Sequence, residues 1–290
     1  MKSRFALAIV ALCLALLPSK AEEQAPPAAP APSAAPSPST TPAAQAVAPH
    51  PWEQARKVLE AATAALQRGG ITGLLPQVGD LETALEGADA AYAATDTGSG
   101  PITVLTDGPA DTLLQLVGAA AAAEKTGNTA PGRETIAVPN PYSAISFYLG
   151  SYYNEIGRHD EAVRVLDKGL ALNAAHGNEF NPVLPSLISE RAVALAQLKR
   201  FPEALAGYEA GLKLPGIADL HKARMHRGRG YVLTELGRLD EAEEAYRESL
   251  KLEPGNRIAL NELEYIAHLR AGGEKTSGGL VAPGNPPVSK

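Results

Sequence analysis

The chain is poor in the residues that usually mark a chemical site. It has one cysteine, Cys13, in 290 residues. That residue lies inside the apolar run Phe5–Leu17, so the remainder of the chain has no thiol to form a disulfide or hold a soft metal. There is one tryptophan, and Phe, Trp and Tyr together make only 5% of the sequence. Leucine and alanine therefore have to supply most of any core. The six histidines are scattered at positions 50, 159, 176, 221, 226 and 268, with no HExxH pair. No P-loop, G-x-G-x-x-G or G-x-S-x-G is present. No cofactor and no metal site are expected. Positive charge is also short: 26 basic residues face 32 acidic ones, a net of −6. Such a balance argues against nucleic acid or an anionic membrane surface as a general partner.

The ends are recognisable by composition. Lys2 and Arg4 precede the apolar run, Pro18 breaks it, and Ser19-Lys20-Ala21 offers small residues where a signal peptidase reads. This is the pattern of a secretory signal peptide, with cleavage expected after Ala21. Loss of residues 1–21 removes three basic residues and no acid, moving the net charge to about −9. Residues 22–51 are almost entirely Pro, Ala and Ser, an extended disordered linker. Residues 271–290 are Gly- and Pro-rich and read as a disordered tail. The expected localisation is exported, in the periplasm of a Gram-negative bacterium, tethered if the signal is kept.

What is present is repetition. Asp160-Glu161-Ala162 recurs as Pro202-Glu203-Ala204 and again as Asp240-Glu241-Ala242. Four residues after each Ala comes a large one, Leu166, Tyr208 or Tyr246. Eight after it comes leucine, at 170, 212 and 250. Twelve before it stands a very small residue, Gly150, Ala192 or Gly230. Small residues on two successive helices allow them to cross closely, and the bulky residue one turn on fills the space beside the crossing. Gly157 and Gly237 suit the turn between the helices. Lys199 holds that place in the middle copy and makes its turn less ideal.

These copies resemble tetratricopeptide repeats, a 34-residue helix–turn–helix family. The best copy runs from Ala223 to Asn256, with Gly230, Gly237, Ala242, Tyr246 and Pro254 at the family's marker positions. Leu149, Gly150 and Tyr153 carry the Leu-Gly-x-x-Tyr signature in the first copy. The marker alanines are 42 and then 38 residues apart, so the surplus at 174–185 and 216–222 must protrude or lengthen a helix. Residues 257–270 read as a final helix that covers the last repeat's open face, as a stack of repeats requires. The expected fold class is all-α: a superhelix of three repeats plus a capping helix over 141–270, with a mostly helical N-terminal extension over 52–140. In the extension three helical stretches flank two β-like runs, 102–105 and 135–138, placed so that they can pair.

The resemblance implies a non-catalytic scaffold whose concave surface receives a partner protein or peptide. It places Phe147, Ser151, Ser189, Arg224, Arg227 and Tyr231 on that surface, followed by Asn261 and Tyr265 of the cap. Arg224 and Arg227 are three apart, so both can face one carboxylate of an acidic or C-terminal segment. The alternative is an envelope enzyme with its site in 52–140. Its sharpest motif, Asp96-Thr97-Gly98-Ser99, matches the aspartic-protease tetrapeptide but has no second copy to share a proton.

Overall fold

Three antiparallel helix pairs fill the C-terminal half of the chain. The computed structural model describes residues 50–95, 101–125, 134–177 and 180–275, with the backbone alone for 119–125. The expected signal peptide, nearly all of the linker, the Asp96–Ser99 motif and most of the tail lie outside the described residues. In order, the elements are α1 (Pro51–Gly69), a 3₁₀ turn (Ile71–Gln77), α2 (Val78–Glu86), α3 (Ala88–Ala93), β1 (Ile102–Thr106), α4 (Pro109–Lys125) and β2 (Thr135–Pro139). The pairs follow: α5 (Tyr142–Glu155) with α6 (His159–His176), α7 (Leu184–Gln197) with α8 (Phe201–Gly211), and α9 (Asp219–Glu235) with α10 (Leu239–Leu252). Helix α11 (Arg257–Arg270) closes the series. The fold is all-α in class, with one small two-stranded sheet.

The spacing of the copies has a direct physical expression. Ala162, Ala204 and Ala242 are completely buried. A Cβ built on Gly150 would fall 2.5 Å from Leu166, and one on Gly230 would fall 2.8 Å from the Tyr246 ring. So the bulky residue lies on the small one, rather than beside it as the sequence suggested. In the middle pair Ala192 carries a methyl at this place, and the Tyr208 ring reaches Gly228 of the next pair, 2.2 Å from where a Cβ would be.

The turns are built alike. Gly157 and Gly237 have φ of 80° and 75°, and Lys199 has φ of 60°. In each pair a backbone N–H reaches back to the first helix, Arg158 to Tyr153, Arg200 to Leu195 and Arg238 to Leu233, at 2.8–2.9 Å. That bond, with a left-handed residue before it, is the Schellman ending of a helix. The same three arginines each grip the glutamate three residues on, Glu161, Glu203 and Glu241. The triplet glutamate is therefore the anchor of a recurrent ion pair at the turn.

Part of the surplus lengthens helices. Helix α6 runs on to His176 and α9 starts at Asp219. Asn256 caps α11, its side chain accepting from Ile258 N and Ala259 N at 3.2 and 3.3 Å. Two expected boundaries shift. Pro51 belongs to α1, where its missing N–H suits a first turn and the helix carries Trp52 into the core. At the other end Lys275 Nζ donates to Glu235 O at 3.0 Å, so the start of the tail rests on α9.

The N-terminal extension packs on the first pair. Trp52, Ala55, Leu59, Ala62 and Leu66 are buried along one face of α1. Thr63 Oγ1 and the Tyr148 hydroxyl are 3.2 Å apart, and Arg164 pairs with Glu82 at 2.6 Å. The two β-like runs do pair, in parallel, with Ile102 opposite Thr135 and Thr106 opposite Pro139. Parallel pairing needs a crossover, and α4 supplies it. A polar seam joins this unit to the repeats. Asp107 accepts from Asn140 Nδ2 at 2.8 Å, and its own N–H donates to Asp111 Oδ2 at 2.7 Å. Asn181 Nδ2 donates to Ser143 Oγ at 3.1 Å. Burial raises the Asp107 carboxyl from the ordinary 3.8 to about 6, with Asp111 adding to the effect while Asn140 and Ser143 oppose it.

Candidate functional site

A cleft of ≈ 260 Å³ runs across the first helices of the three pairs. Position on a helix explains who lines it. Phe147 and Ser151 are four apart on α5, Ser189 and Val193 four apart on α7, and Arg224, Arg227 and Tyr231 follow at spacings of three and four on α9. Residues so spaced share one helix face. Of the eight residues singled out in the sequence, these six of α5, α7 and α9 (Phe147, Ser151, Ser189, Arg224, Arg227 and Tyr231) line the cleft. Asn261 and Tyr265 do not; Ile258, one turn earlier on α11, is the cap's contribution. The helix enters the cleft only with its first turn.

The two arginines turn apart rather than converge. Arg224 Nη2 donates to Glu190 Oε1 at 2.6 Å. Arg227 Nη1 donates to Ser249 Oγ at 3.0 Å and pairs with Glu253. Their side chains are only 19% and 11% exposed, and a guanidinium so covered needs a carboxylate close by. Glu190 answers from the preceding pair and Glu253 from the end of α10. Asn154 fixes Glu190 in turn, donating from Nδ2 to its Oε2 at 2.9 Å and to its carbonyl at 3.0 Å. The basic end expected from the sequence is thus charge-compensated within the protein.

Two hydroxyls in the cleft stand out. Ser151 Oγ and Ser189 Oγ are buried and make no hydrogen bond among the described residues. Ser189 as a whole is 1% exposed. Aromatic rings surround them: Phe147 and Tyr148 on α5, Tyr208 on α8 and Tyr231 on α9. Burial pushes the Tyr208 and Tyr231 phenols upward, so both stay protonated and can donate. Leu66 of α1 and Ile71 of the 3₁₀ turn also line the cleft. Among the described residues no cluster of three or more His, Cys, Asp or Glu side chains is arranged to hold a metal ion.

Sequence reasoning did not place Glu190, Asn154, Tyr208, Gly228, Leu66 or Ile71 in this site. Only Tyr208 and Gly228 left a trace. Tyr208 is the bulky marker of the one copy whose small residue is alanine, and Gly228 is an unexplained glycine inside a helical stretch.

Stacked antiparallel helix pairs with a shared cleft on their first helices define a helical-repeat protein. The tetratricopeptide repeat pattern matches residues 223–256 and 147–176, so the helix pairs there are tetratricopeptide repeats. The chain is similar to RNA polymerase II-associated protein 3 from Homo sapiens, 32% identical over 127 residues, covering 44% of this chain and 17% of that protein. The protein from Rattus norvegicus is 34% identical over 117 residues, covering 40% of this chain and 16% of its own length. The chain thus spans less than a fifth of these curated relatives. Among solved structures it is similar to the first tetratricopeptide domain of Spaghetti bound to the HSP90 peptide SRMEEVD. That match has 29% identity, 45% of this chain, 94% of the other and a TM-score of 0.38.

Proposed function

We propose that this chain is a non-catalytic interaction scaffold that receives a short segment of a partner protein in the cleft across α5, α7 and α9. The observation that carries the reading is the pair of buried hydroxyls, Ser151 and Ser189, without a hydrogen-bond partner among the described residues, in a cleft lined by aromatic rings. Buried polar atoms are normally hydrogen-bonded, so such a pair in a cleft supports a ligand that completes it. The expected acidic or C-terminal residues of the partner would meet the outer N–H groups of Arg224 and Arg227, in competition with Glu190 and Glu253. We propose further that the protein works in a bacterial envelope. Support for that comes from the composition of residues 1–21, and N-terminal sequencing of protein from its host should find a chain starting at Glu22.

The scaffold reading is tested by a photo-reactive side chain at Val193 inside the cleft, compared with one at the exposed Glu60 on α1. A discrete partner peptide cross-linked from Val193 alone is expected. Identical adducts from both positions, or none from Val193, would remove the cleft as the binding site. The enzyme alternative, with its site in 52–140, has no comparable observation in its favour.

A further inference from the structure

The chain leaves the described fold beside the cleft. Gly272 has φ of 84°, and the Gly273 N–H reaches back to His268 O at 3.0 Å, so α11 stops in a left-handed turn that takes the chain off the helix axis. Lys275 then lands on α9. Its Nζ donates to Glu235 O at 3.0 Å and stands 3.4 Å from Glu235 Oε2. An ammonium suits this place, because the last carbonyls of a helix have no partner within it. Glu235 lies one turn beyond Tyr231, on the face of α9 that lines the cleft.

The residues that follow in sequence match the cleft chemically. Residues 276–289, TSGGLVAPGNPPVS, carry no charged side chain, and Leu280 and Val281 are adjacent apolar residues. In the cleft Arg224 and Arg227 are each paired with a glutamate, Glu190 and Glu253, and Phe147, Tyr208 and Tyr231 supply apolar faces. Ser151 and Ser189 have hydroxyls without a partner among the described residues, and a hydroxyl both donates and accepts. They can meet the carbonyls or the N–H groups of any extended backbone. Distance then favours this segment. Tyr231 is about 6 Å along α9 from Glu235, and α7 lies about 8–10 Å across from α9, while seven extended residues reach about 23 Å. The segment that precedes Pro51 starts farther away, about 22 Å along α1 from Leu66 in the cleft wall.

We infer that residues 276–289 fold back over α9 into the cleft, with Leu280 and Val281 against Tyr231 and Tyr208, and hold it until the partner's segment displaces them. The inference rests on the scaffold reading above and adds the regulation of that same cleft. A short tether keeps its segment at an effective concentration of about 1 mM. An intrinsic dissociation constant of about 0.1 mM therefore suffices to fill the cleft about 90% of the time and to weaken a partner about tenfold.

Disulfide trapping in the full-length chain reads the position of the segment. With Cys13→Ser removing the sole native thiol, Ala282→Cys is combined either with Val193→Cys in the cleft or with Leu236→Cys, exposed and next to Glu235. A segment free in solvent meets residue 236 more often, because that residue is nearer the tether. The inference expects the opposite: the 193–282 bond should form about tenfold faster than the 236–282 bond, within one chain at every protein concentration. Leu280→Asp with Val281→Asp should erase that preference. Hydrogen exchange on the unsubstituted chain guards against misfolding of the variants. There the amides of residues 279–285 should exchange at least about threefold more slowly than in the free peptide TSGGLVAPGNPPVSK. A 236–282 bond that forms as fast or faster, a preference that survives the two aspartates, or exchange as fast as in the free peptide overturns the inference. So does a bond joining two chains, which would make a second copy's segment the occupant. Each of these outcomes leaves the scaffold reading standing, since that reading falls on the photo-reactive Val193 test instead.

Discussion

Gly230 and Tyr246 share one volume: the tyrosine ring lies 2.8 Å from the place a Cβ on residue 230 would take. The hydroxyl of the same tyrosine donates to Glu262 Oε2 of the cap helix at 3.3 Å. One side chain therefore ties both helices of the last pair to α11. Gly230→Ala should lower stability by roughly 1–3 kcal/mol through overpacking, although Gly to Ala inside a helix ordinarily gains up to about 1 kcal/mol. Thermal denaturation reads the sign directly, and a raised melting temperature would refute the close approach.

Lys199 is the one non-glycine residue with positive φ among the described residues, at the turn where its counterparts are Gly157 and Gly237. The left-handed region costs an L-residue roughly 1–2 kcal/mol, against about 0.5–1 kcal/mol of extra chain entropy that a glycine loses on folding. Lys199→Gly should therefore stabilise by about 0.5–1 kcal/mol in urea titration. A loss of stability would mean that the Lys199 side chain contributes more than its backbone costs.

Asp107 should make stability depend on pH. Its folded carboxyl binds a proton more tightly than the unfolded one, with the pKa raised from 3.8 to about 6. The stability it lends is complete below about pH 4 and is lost as pH rises through about 6. Asp107→Asn removes the titrating group and keeps an oxygen to accept from Asn140. The variant should come close to the parent near pH 4 and exceed it by about 2–3 kcal/mol at pH 7. Parallel stability curves for the two proteins across that range would contradict the assignment.

Arg224→Glu with Arg227→Glu is the obvious way to reverse the cleft's basic end, and it should fail to report on binding. The new carboxylates would face Glu190 and Glu253, each stripped of its cation. A loss of roughly 3 kcal/mol or more is expected, with a visible drop in melting temperature. Unchanged stability in this double variant would show that the two ion pairs do not form in solution.

The repeat framework was legible in the sequence because its signals are local. The triplets ending in Ala162, Ala204 and Ala242, the small residues twelve positions earlier and the turn glycines all act within one helix pair. Which face points into the cleft was implied by the resemblance to tetratricopeptide repeats, and Phe147, Ser151, Ser189, Arg224, Arg227 and Tyr231 do meet there. What was hidden depends on contacts between pairs. Glu190 reaches Arg224 from 34 residues away, and no spacing within either repeat announces it. Leu66 and Ile71 belong to an extension without the repeat signature, so their place in the cleft wall has no periodic trace. The parallel pairing of β1 and β2 was undecided for the same reason, since the runs fix strand character and only the crossover helix fixes direction.

The mixed origin of the cleft wall limits how this molecule can change size. An open stack of helix pairs grows by adding a copy at either end, each new unit docking on the last without disturbing the rest. Here Leu66 and Ile71 of the extension and Ile258 of the cap helix line the same cleft as the three pairs. A copy gained between the pairs and either of these elements would part them from that wall, whereas one inserted between α6 and α7 or between α8 and α9 would keep each beside its present neighbour. Descendants of this chain are therefore expected to differ by internal duplication, with the extension and the cap kept as a matched set.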